Sequence, residues 1–256
     1  MTDTPIKVAY PATEDLHLRI ALAACHFKAE PGEAEAWITG ACHDPTGKRP
    51  PRIVEDGGAV RISEGGPSFE QITATFGGLP RYELELGKGR PFALTIETGA
   101  SEFEMDLGGV PVSSMEVRQG AGKFELDFSA PNPHAMQQLE VFSGAAGIEL
   151  ENLANANFSE MRLSGGAAGY ELDFGGTLLR DAEAKIESGM SGVEIKIPAS
   201  TAAKIVAETT LGRVDVEDGF TKREGAFWTE AGMTGKKPLL TIRAGVRLGS
   251  LQLEAT

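Results

Sequence analysis

The sequence predicts an all-β protein, and more narrowly a single parallel β-helix of about ten coils, a solenoid with a period of about 20–24 residues. One short motif recurs along the chain, as "TGASEFEMDL" at 98–107, "QGAGKFELDF" at 119–128 and "SGGAAGYELDF" at 164–174. Apolar and polar residues alternate around each copy, which is typical of half-buried strands. No copy contains the helical periodicity, over about 10–12 residues, that a β/α repeat would need.

Each copy is anchored on an apolar residue that opens an alternating strand, and a second apolar residue follows two positions later. Successive anchors are 21 to 24 residues apart. A unit this short cannot bury its apolar side alone, so it must stack on its neighbours. We therefore expect equivalent strands to lie parallel, about 4.8 Å apart, with the anchors inside. The anchors are Phe103, Phe124, Ile148, Tyr170, Val193 and Val214.

A second apolar pair precedes each anchor by seven and nine positions, as Leu94 and Ile96 precede Phe103. Between the two apolar pairs, a small residue stands four positions before the anchor. Glycine there would supply a positive φ or a close approach of two backbones, so each copy is predicted to be two strands joined at a glycine corner. The corner residues are Gly99, Gly120, Gly144, Gly166, Gly189 and, in the last copy, Thr210.

The same register extends in both directions from these six copies. Tyr82 and Val60 continue it upstream, and Phe27 opens a further copy 33 residues before Val60. Leu251 opens the last copy after a step of 37 residues. No linker interrupts the pattern, so we predict one β-helix domain over residues 1–256.

The two long steps predict insertions near residues 36–52 and 218–238. The first contains the basic, proline-rich segment "DPTGKRPPR" (44–52), which is either an ordered surface loop or a contact for an anion or partner. It lacks the glycine spacing of a phosphate-binding loop. The second carries aromatic residues that either cover the solenoid or form an exposed patch for a partner. These aromatic residues are Phe220, Phe227 and Trp228.

The charge of the chain is strongly acidic, with a net value of −13 and a pI near 4.8. This argues against a nucleic-acid backbone or an anionic membrane as partner, because both would repel the chain. The first residues lack the basic start and apolar core of a signal peptide, and no apolar run approaches the ~20 residues of a membrane span. We therefore expect a soluble cytoplasmic protein.

Acidic residues follow the anchors at regular positions. One position after each anchor stands a carboxylate, and further acids stand three positions after, from Glu85 to Glu217, with Lys196 as the exception. Stacked coils would place these side chains in two outward columns. Such columns either keep the surface soluble and discourage edge pairing, or bind cations or a basic partner. We call the first column the acidic ladder: Glu83, Glu104, Glu125, Glu149, Glu171, Glu194 and Asp215.

Two cysteine–histidine pairs occur early in the chain, Cys25 with His26 and Cys42 with His43. Zinc binds such residue types. Adjacent residues on a strand face opposite sides, however, and the spacing of 17 between the cysteines fits no zinc ribbon. We therefore predict buried or half-buried thiols and no metal or other cofactor.

The repeats "LTIETGASEFEMDLGG" and "EVRQGAGKFELDF" resemble the toast-rack and adhesin-like β-helix domains of bacteria, which are related to the C-terminal domain of LiaF-type cell-wall-stress regulators. The stretch from 212 to 254 resembles the C-terminal coils of that group. The resemblance covers roughly residues 70–256 and, more weakly, 16–66. It implies a right-handed β-helix without catalysis.

The expected function follows from what the sequence contains and lacks. None of the four histidines lies in a recognisable nucleophile setting, and carboxylates on a solvated column lack the unequal environments of an acid–base pair. We therefore expect no catalytic residues and a non-enzymatic β-helical scaffold or interaction module of a bacterium, linked to cell-envelope stress by resemblance. The alternative is a carbohydrate-binding or polysaccharide-active β-helix that uses the acidic face. An unknown protein partner, a homodimer and weak binding of divalent cations stay open.

Overall fold

The computed structural model describes residues 2–32, 35–65 and 78–256. The residues from 70 to 77, where the family resemblance begins, lie outside these ranges. The described part contains one sheet of 16 strands and little helix. Its elements are β1 (Thr2–Val8), β2 (His17–Leu22), β3 (His26–Pro31), β4 (Ile38–Asp44), β5 (Pro51–Asp56), β6 (Ala59–Glu64), β7 (Arg81–Leu86), β8 (Phe92–Asp106), β9 (Val112–Asp127), β10 (Met136–Glu151), a 3-10 turn (Leu153–Ala156), β11 (Phe158–Asp173), β12 (Ala182–Ile197), β13 (Ala203–Val216), β14 (Phe220–Arg223), β15 (Ala226–Thr229), α1 (Glu230–Met233) and β16 (Leu240–Ala255).

Five long strands, β8 to β12, form the middle of the molecule. Each is 15 or 16 residues long and lies parallel to the next in register, which is the arrangement of a β-helix-like solenoid. Tyr170 lies opposite Ile148 on one side and Val193 on the other, as the repeat predicts. The two strands expected in each repeat are therefore two halves of one long strand.

The core lies along the inner side of both halves. The alternating pattern of β8 buries Leu94 and Ile96 in its first half and Phe103 and Met105 in its second. Each side chain stacks on the corresponding residue of the next strand, as Phe103 stacks on Phe124 with ring centroids 5.9 Å apart. These buried rows provide the main hydrophobic stabilisation of the solenoid.

The glycine corners allow neighbouring backbones to approach closely. A Cβ on Gly120 would lie 2.7 Å from the carbonyl oxygen of Gly99. A Cβ on Gly144 would lie 2.6 Å from Gly120, and one on Gly166 would lie 2.6 Å from Gly144. None of these glycines has a positive φ. Of the two reasons for glycine that the sequence leaves open, the close approach is the one that applies.

The order of the strands departs from chain order at both ends. The strand β3 lies between β7 and β8, so Phe27 stands between Tyr82 and Phe103. The C-terminal strand β16 lies between β12 and β13, so Leu251 separates Val193 from Val214. The sequence places these repeats inside the solenoid correctly, but it does not show which repeat each one contacts.

Both ends of the sheet are antiparallel, so a purely parallel β-helix is wrong there. At one end β7 pairs with β4, which pairs with β1, and β5 pairs with β6. At the other end β13 pairs with β15, which pairs with β14. The insertions near 36–52 and 218–238 supply β4, β14 and β15, because extra chain is needed to reverse direction and cover an end.

Candidate binding face

The middle of the acidic ladder is a continuous column of carboxylates. Glu104 lies opposite Glu125, Glu125 opposite Glu149, Glu149 opposite Glu171, and Glu171 opposite Glu194. All five residues point away from the core because they alternate with buried neighbours on their strands. The register that the sequence predicts for these five residues is confirmed.

Two other side chains interrupt the ladder near its ends. Because β3 lies between β7 and β8, its residue Lys28 lies between Glu83 and Glu104. Gln252 of β16 lies between Glu194 and Asp215. The sequence shows that Lys28 and Gln252 occupy the ladder position of their strands, because each directly follows the anchor of its repeat, Phe27 or Leu251. It does not show between which strands these two strands lie.

The second acidic column runs beside the ladder. Asp106 lies opposite Asp127, and Asp127 lies opposite Glu151. Partial burial and the nearby charges of Asp127 and Glu149 raise the pKa of Glu151. The column is no longer acidic at β12, where Lys196 lies opposite Asp173.

Three lysines neutralise part of the negative charge. The ammonium of Lys123 bonds to Glu125 and lies 3.3 Å from Glu149. Lys196 pairs with Glu194 at 3.2 Å, and Lys28 lies 3.6 Å from Glu104. Hydrogen bonds to carboxylates raise the pKa of all three lysines, with Glu30 as the main partner of Lys28. The repulsion along the ladder is therefore reduced by positions that are adjacent in space.

A shallow groove lies between the two acidic columns. Carboxylates and Lys28 line it, and its floor is formed by the strands at Ala29, Met105 and Leu126, whose side chains are buried in the core. No aromatic side chain lines this groove in the described residues. Within the same residues, no three or more of His, Cys, Asp and Glu come together as a metal site. The carboxylates of this face are therefore spread along neighbouring strands. The acidic residues of the groove are Glu30, Glu104, Asp106, Glu125, Asp127, Glu149 and Glu151.

Both cysteines are buried free thiols. The sulfur of Cys25 lies 3.7 Å from the hydroxyl of Ser101, and burial raises the pKa of this thiol to about 12. Burial also raises the pKa of Cys42. Their histidine neighbours point elsewhere, since His26 pairs with Glu102 at 2.9 Å and His43 with Asp3 at 2.8 Å. The opposed directions agree with the reason given against a zinc set.

The proline-rich loop of the first insertion is ordered by a buried carboxylate. Asp44 accepts hydrogen bonds from the amides of Thr46 and Arg49 and from the hydroxyl of Thr46. Burial alone would raise the pKa of Asp44, but these hydrogen bonds outweigh it and lower the pKa. The structure thus favours the ordered-loop interpretation of this segment.

The aromatic residues of the second insertion lie over the end of the solenoid. Phe220 and Phe227 pack against the core, and the ammonium of Lys204 lies 5.3 Å from the centre of the Trp228 ring. The strands β14 and β15 therefore form a cover, which supports the first of the two interpretations of this insertion.

Comparison with known proteins defines the class of this chain. Residues 2–151 match the family described as the N-terminal domain of toast_rack. The match covers more than half of the 256 residues, so the chain belongs to the toast-rack family. It includes residues 16–66, where the repeat pattern gives the weaker resemblance. No curated protein matches the chain.

A solved structure with a TM-score above 0.5 shares the fold along the whole chain, and others are similar at lower scores. A candidate cell adhesion protein from Clostridium sporogenes is 14% identical, with 100% of this chain and 99% of that chain covered and a TM-score of 0.52. A candidate adhesin from Bacteroides fragilis is 8% identical, with 98% and 96% covered and a TM-score of 0.41. A candidate lipid-binding protein from Parabacteroides distasonis is 11% identical, with 100% and 94% covered and a TM-score of 0.42. Among the described residues, no helix has the length and apolar character needed to cross a membrane.

Proposed function

We propose that this chain is a non-enzymatic scaffold and interaction module of a bacterium, built as a right-handed β-helix of about ten coils. Its resemblance to LiaF-type proteins supports a role in the response to cell-envelope stress. The adhesion description of the Clostridium sporogenes protein agrees with a role in binding.

One observation carries the proposal: five carboxylates stand on five neighbouring strands of one face. Neighbouring strands are about 4.8 Å apart, so the column presents a charge at each step over five strands. A rigid row of this kind suits an extended basic segment, whose side chains would replace or join the lysines that already contact the ladder. Charge complementarity would determine the rate and specificity of binding.

The groove favours a protein partner over a sugar. Carbohydrate sites combine acids with exposed aromatic rings, which stack on the sugar, and among the described residues no aromatic side chain lines this groove. The carboxylates of the ladder are also separate from one another and open to water, which suits recognition of a basic segment better than acid–base chemistry.

Titration with a fluorescent lysine-rich peptide tests the proposal. Replacement of Glu125, Glu149 and Glu171 by Gln should weaken binding at least about tenfold at low salt, and added salt should abolish the difference. A control variant with Glu160→Gln, Glu183→Gln and Glu187→Gln removes the same charge from other exposed positions. Equal binding by both variants would reject the ladder as the site. A parallel calorimetric titration with calcium or magnesium would show whether cations occupy the face.

A further inference from the structure

The last coil of the solenoid ends in an open strand edge. Along one side, β13 pairs with β16 from Ala203 to Val216. On the other side, β15 pairs with β13 only at Lys204 and Ile205. Within residues 2–32, 35–65 and 78–256, no strand pairs with the outer side of residues 211–216. The backbone groups on this side are free to accept another strand.

The hydrophobic core is also open at this edge. Val214 and Val216 are only partly buried, whereas the corresponding residues of β16, Leu251 and Leu253, are fully buried. At these two positions the last layer of the core therefore keeps contact with water that the inner layers have lost, and burying it would stabilise an assembly.

The opposite end of the sheet is treated differently. There the outer side of β7 is fully paired with β4, and β4 is covered in turn by β1. Tyr82 and Leu84 of β7 are consequently buried. The chain thus covers the outer edge of β7 at one end of the sheet and leaves the outer edge of residues 211–216 in β13 open at the other.

We propose that a second copy of this chain pairs antiparallel with the open edge, centred on Val214. The edge reads Leu-Gly-Arg-Val-Asp-Val from 211 to 216. In this register Arg213 of each copy lies opposite Asp215 of the other, because both residues are one position from the centre. The two copies would be related by a two-fold axis, which is the commonest symmetry of protein dimers.

The charges make the edge complementary to itself. Arg213 and Asp215 already pair within one chain, with Nε and Oδ2 2.6 Å apart, and both are well exposed. Two such pairs meeting antiparallel form a cluster of four charges with alternating sign, so a copy is attracted where a single-sign edge would repel it. On the inner side, Val214 meets its counterpart and Val216 lies opposite Gly212, which would join the two cores. Asp215 is the last residue of the acidic ladder, but Gln252 separates it from the five carboxylates between Glu104 and Glu194, and it does not line the groove. The dimer therefore does not depend on the function proposed above.

Sedimentation equilibrium of the wild-type chain from about 1 µM to about 100 µM should show a monomer–dimer equilibrium. Arg213→Asp alone and Asp215→Arg alone place like charges opposite each other, so each should raise the dissociation constant at least about tenfold. The double exchange, Arg213→Asp with Asp215→Arg, restores opposite charges and should restore the dimer. Arg162→Asp, on an exposed position of β11, is the matched control and should leave the dimer unchanged.

A cysteine at the centre of the interface tests the register. Directly opposed Cβ atoms in an antiparallel pair are about 4.5–5.5 Å apart, so Val214→Cys should form a disulfide-linked dimer under mild oxidation. Thr221→Cys, on the exposed strand β14, should remain uncrosslinked. A wild-type chain that stays monomeric would overturn the proposal. So would a dimer that the single charge changes leave intact, which would show that another surface, or another class of partner, is involved.

Discussion

The hydroxyl of Tyr170 occupies the space in which a side chain of Gly165 would lie. On the neighbouring strands, the position of Gly165 carries Ser143 and Ser188, and the position of Tyr170 carries Ile148 and Val193. One coil therefore combines a large side chain with glycine, where its neighbours combine serine with a smaller side chain. The side chains at positions 165 and 170 therefore fill the same space inside the coil, so a larger residue at one position requires a smaller residue at the other.

Gly165→Ala is expected to lower the free energy of unfolding by about 1–3 kcal/mol, because it overpacks the space that Tyr170 fills. Gly165→Ser with Tyr170→Val reproduces the pair of the next coil and should cost less than the sum of its single changes. Gly169→Ala is the control, since a Cβ there meets nothing within 4 Å. Denaturant unfolding of the two single variants, Gly165→Ser and Tyr170→Val, and of their double variant measures the coupling, and strictly additive effects would contradict it.

Leu172→Asp should destabilise the fold by about 3–5 kcal/mol, because it buries a charge without a partner. Leu172 is 1% exposed and lies between Leu150 and Ile195. Leu179→Asp is the control, since Leu179 is 53% exposed and should change stability by no more than about 0.5 kcal/mol. Equal melting temperatures for the two variants would refute the interior position of Leu172.

Glu151→Gln should raise the melting temperature near pH 8 in low salt and have no such effect near pH 4. The pKa of Glu151 is raised in the folded chain, so its ionised form destabilises the fold above that pKa. The destabilisation is relieved as pH falls toward the unfolded pKa of about 4.3. Glu55→Gln, which removes one charge from the distant strand β5, separates the local effect from a change in net charge. A benefit that did not depend on pH would contradict this explanation.

The thiols of Cys25 and Cys42 should resist a thiol reagent in the native protein and react fully after denaturation. Both are buried, and burial raises the pKa of each thiol, so little reactive thiolate forms at neutral pH. Absorbance of the released reagent follows the reaction, with Leu179→Cys as an exposed control. Rapid modification of two thiols in the folded chain would contradict the prediction. A separate measurement, elemental analysis of the purified protein, tests the expectation of no metal, and stoichiometric zinc would overturn that expectation.

Much of the fold could be predicted because a strand encodes its two faces locally. The alternation of apolar and polar residues around Phe103 and Tyr170 predicts which side chains lie in the core, and both residues are buried as expected. The repeat length then sets the register between successive coils, which places Glu125 beside Glu149. The interruption of the ladder near its ends could not be predicted in the same way. Lys28 lies between Glu83 and Glu104 only because β3 lies between β7 and β8.

The sequence by itself determined the inside and outside of each repeat, since burial depends on the apolar character of a residue and its parity along the strand. Only the tertiary structure decided that Phe27 lies between Tyr82 and Phe103 and that Leu251 lies between Val193 and Val214. The physical reason is that backbone hydrogen bonds and apolar contacts are nearly the same for every repeat, so neither identifies a neighbour. The choice depends on how the two ends of the chain return to the stack, which is a property of the whole path.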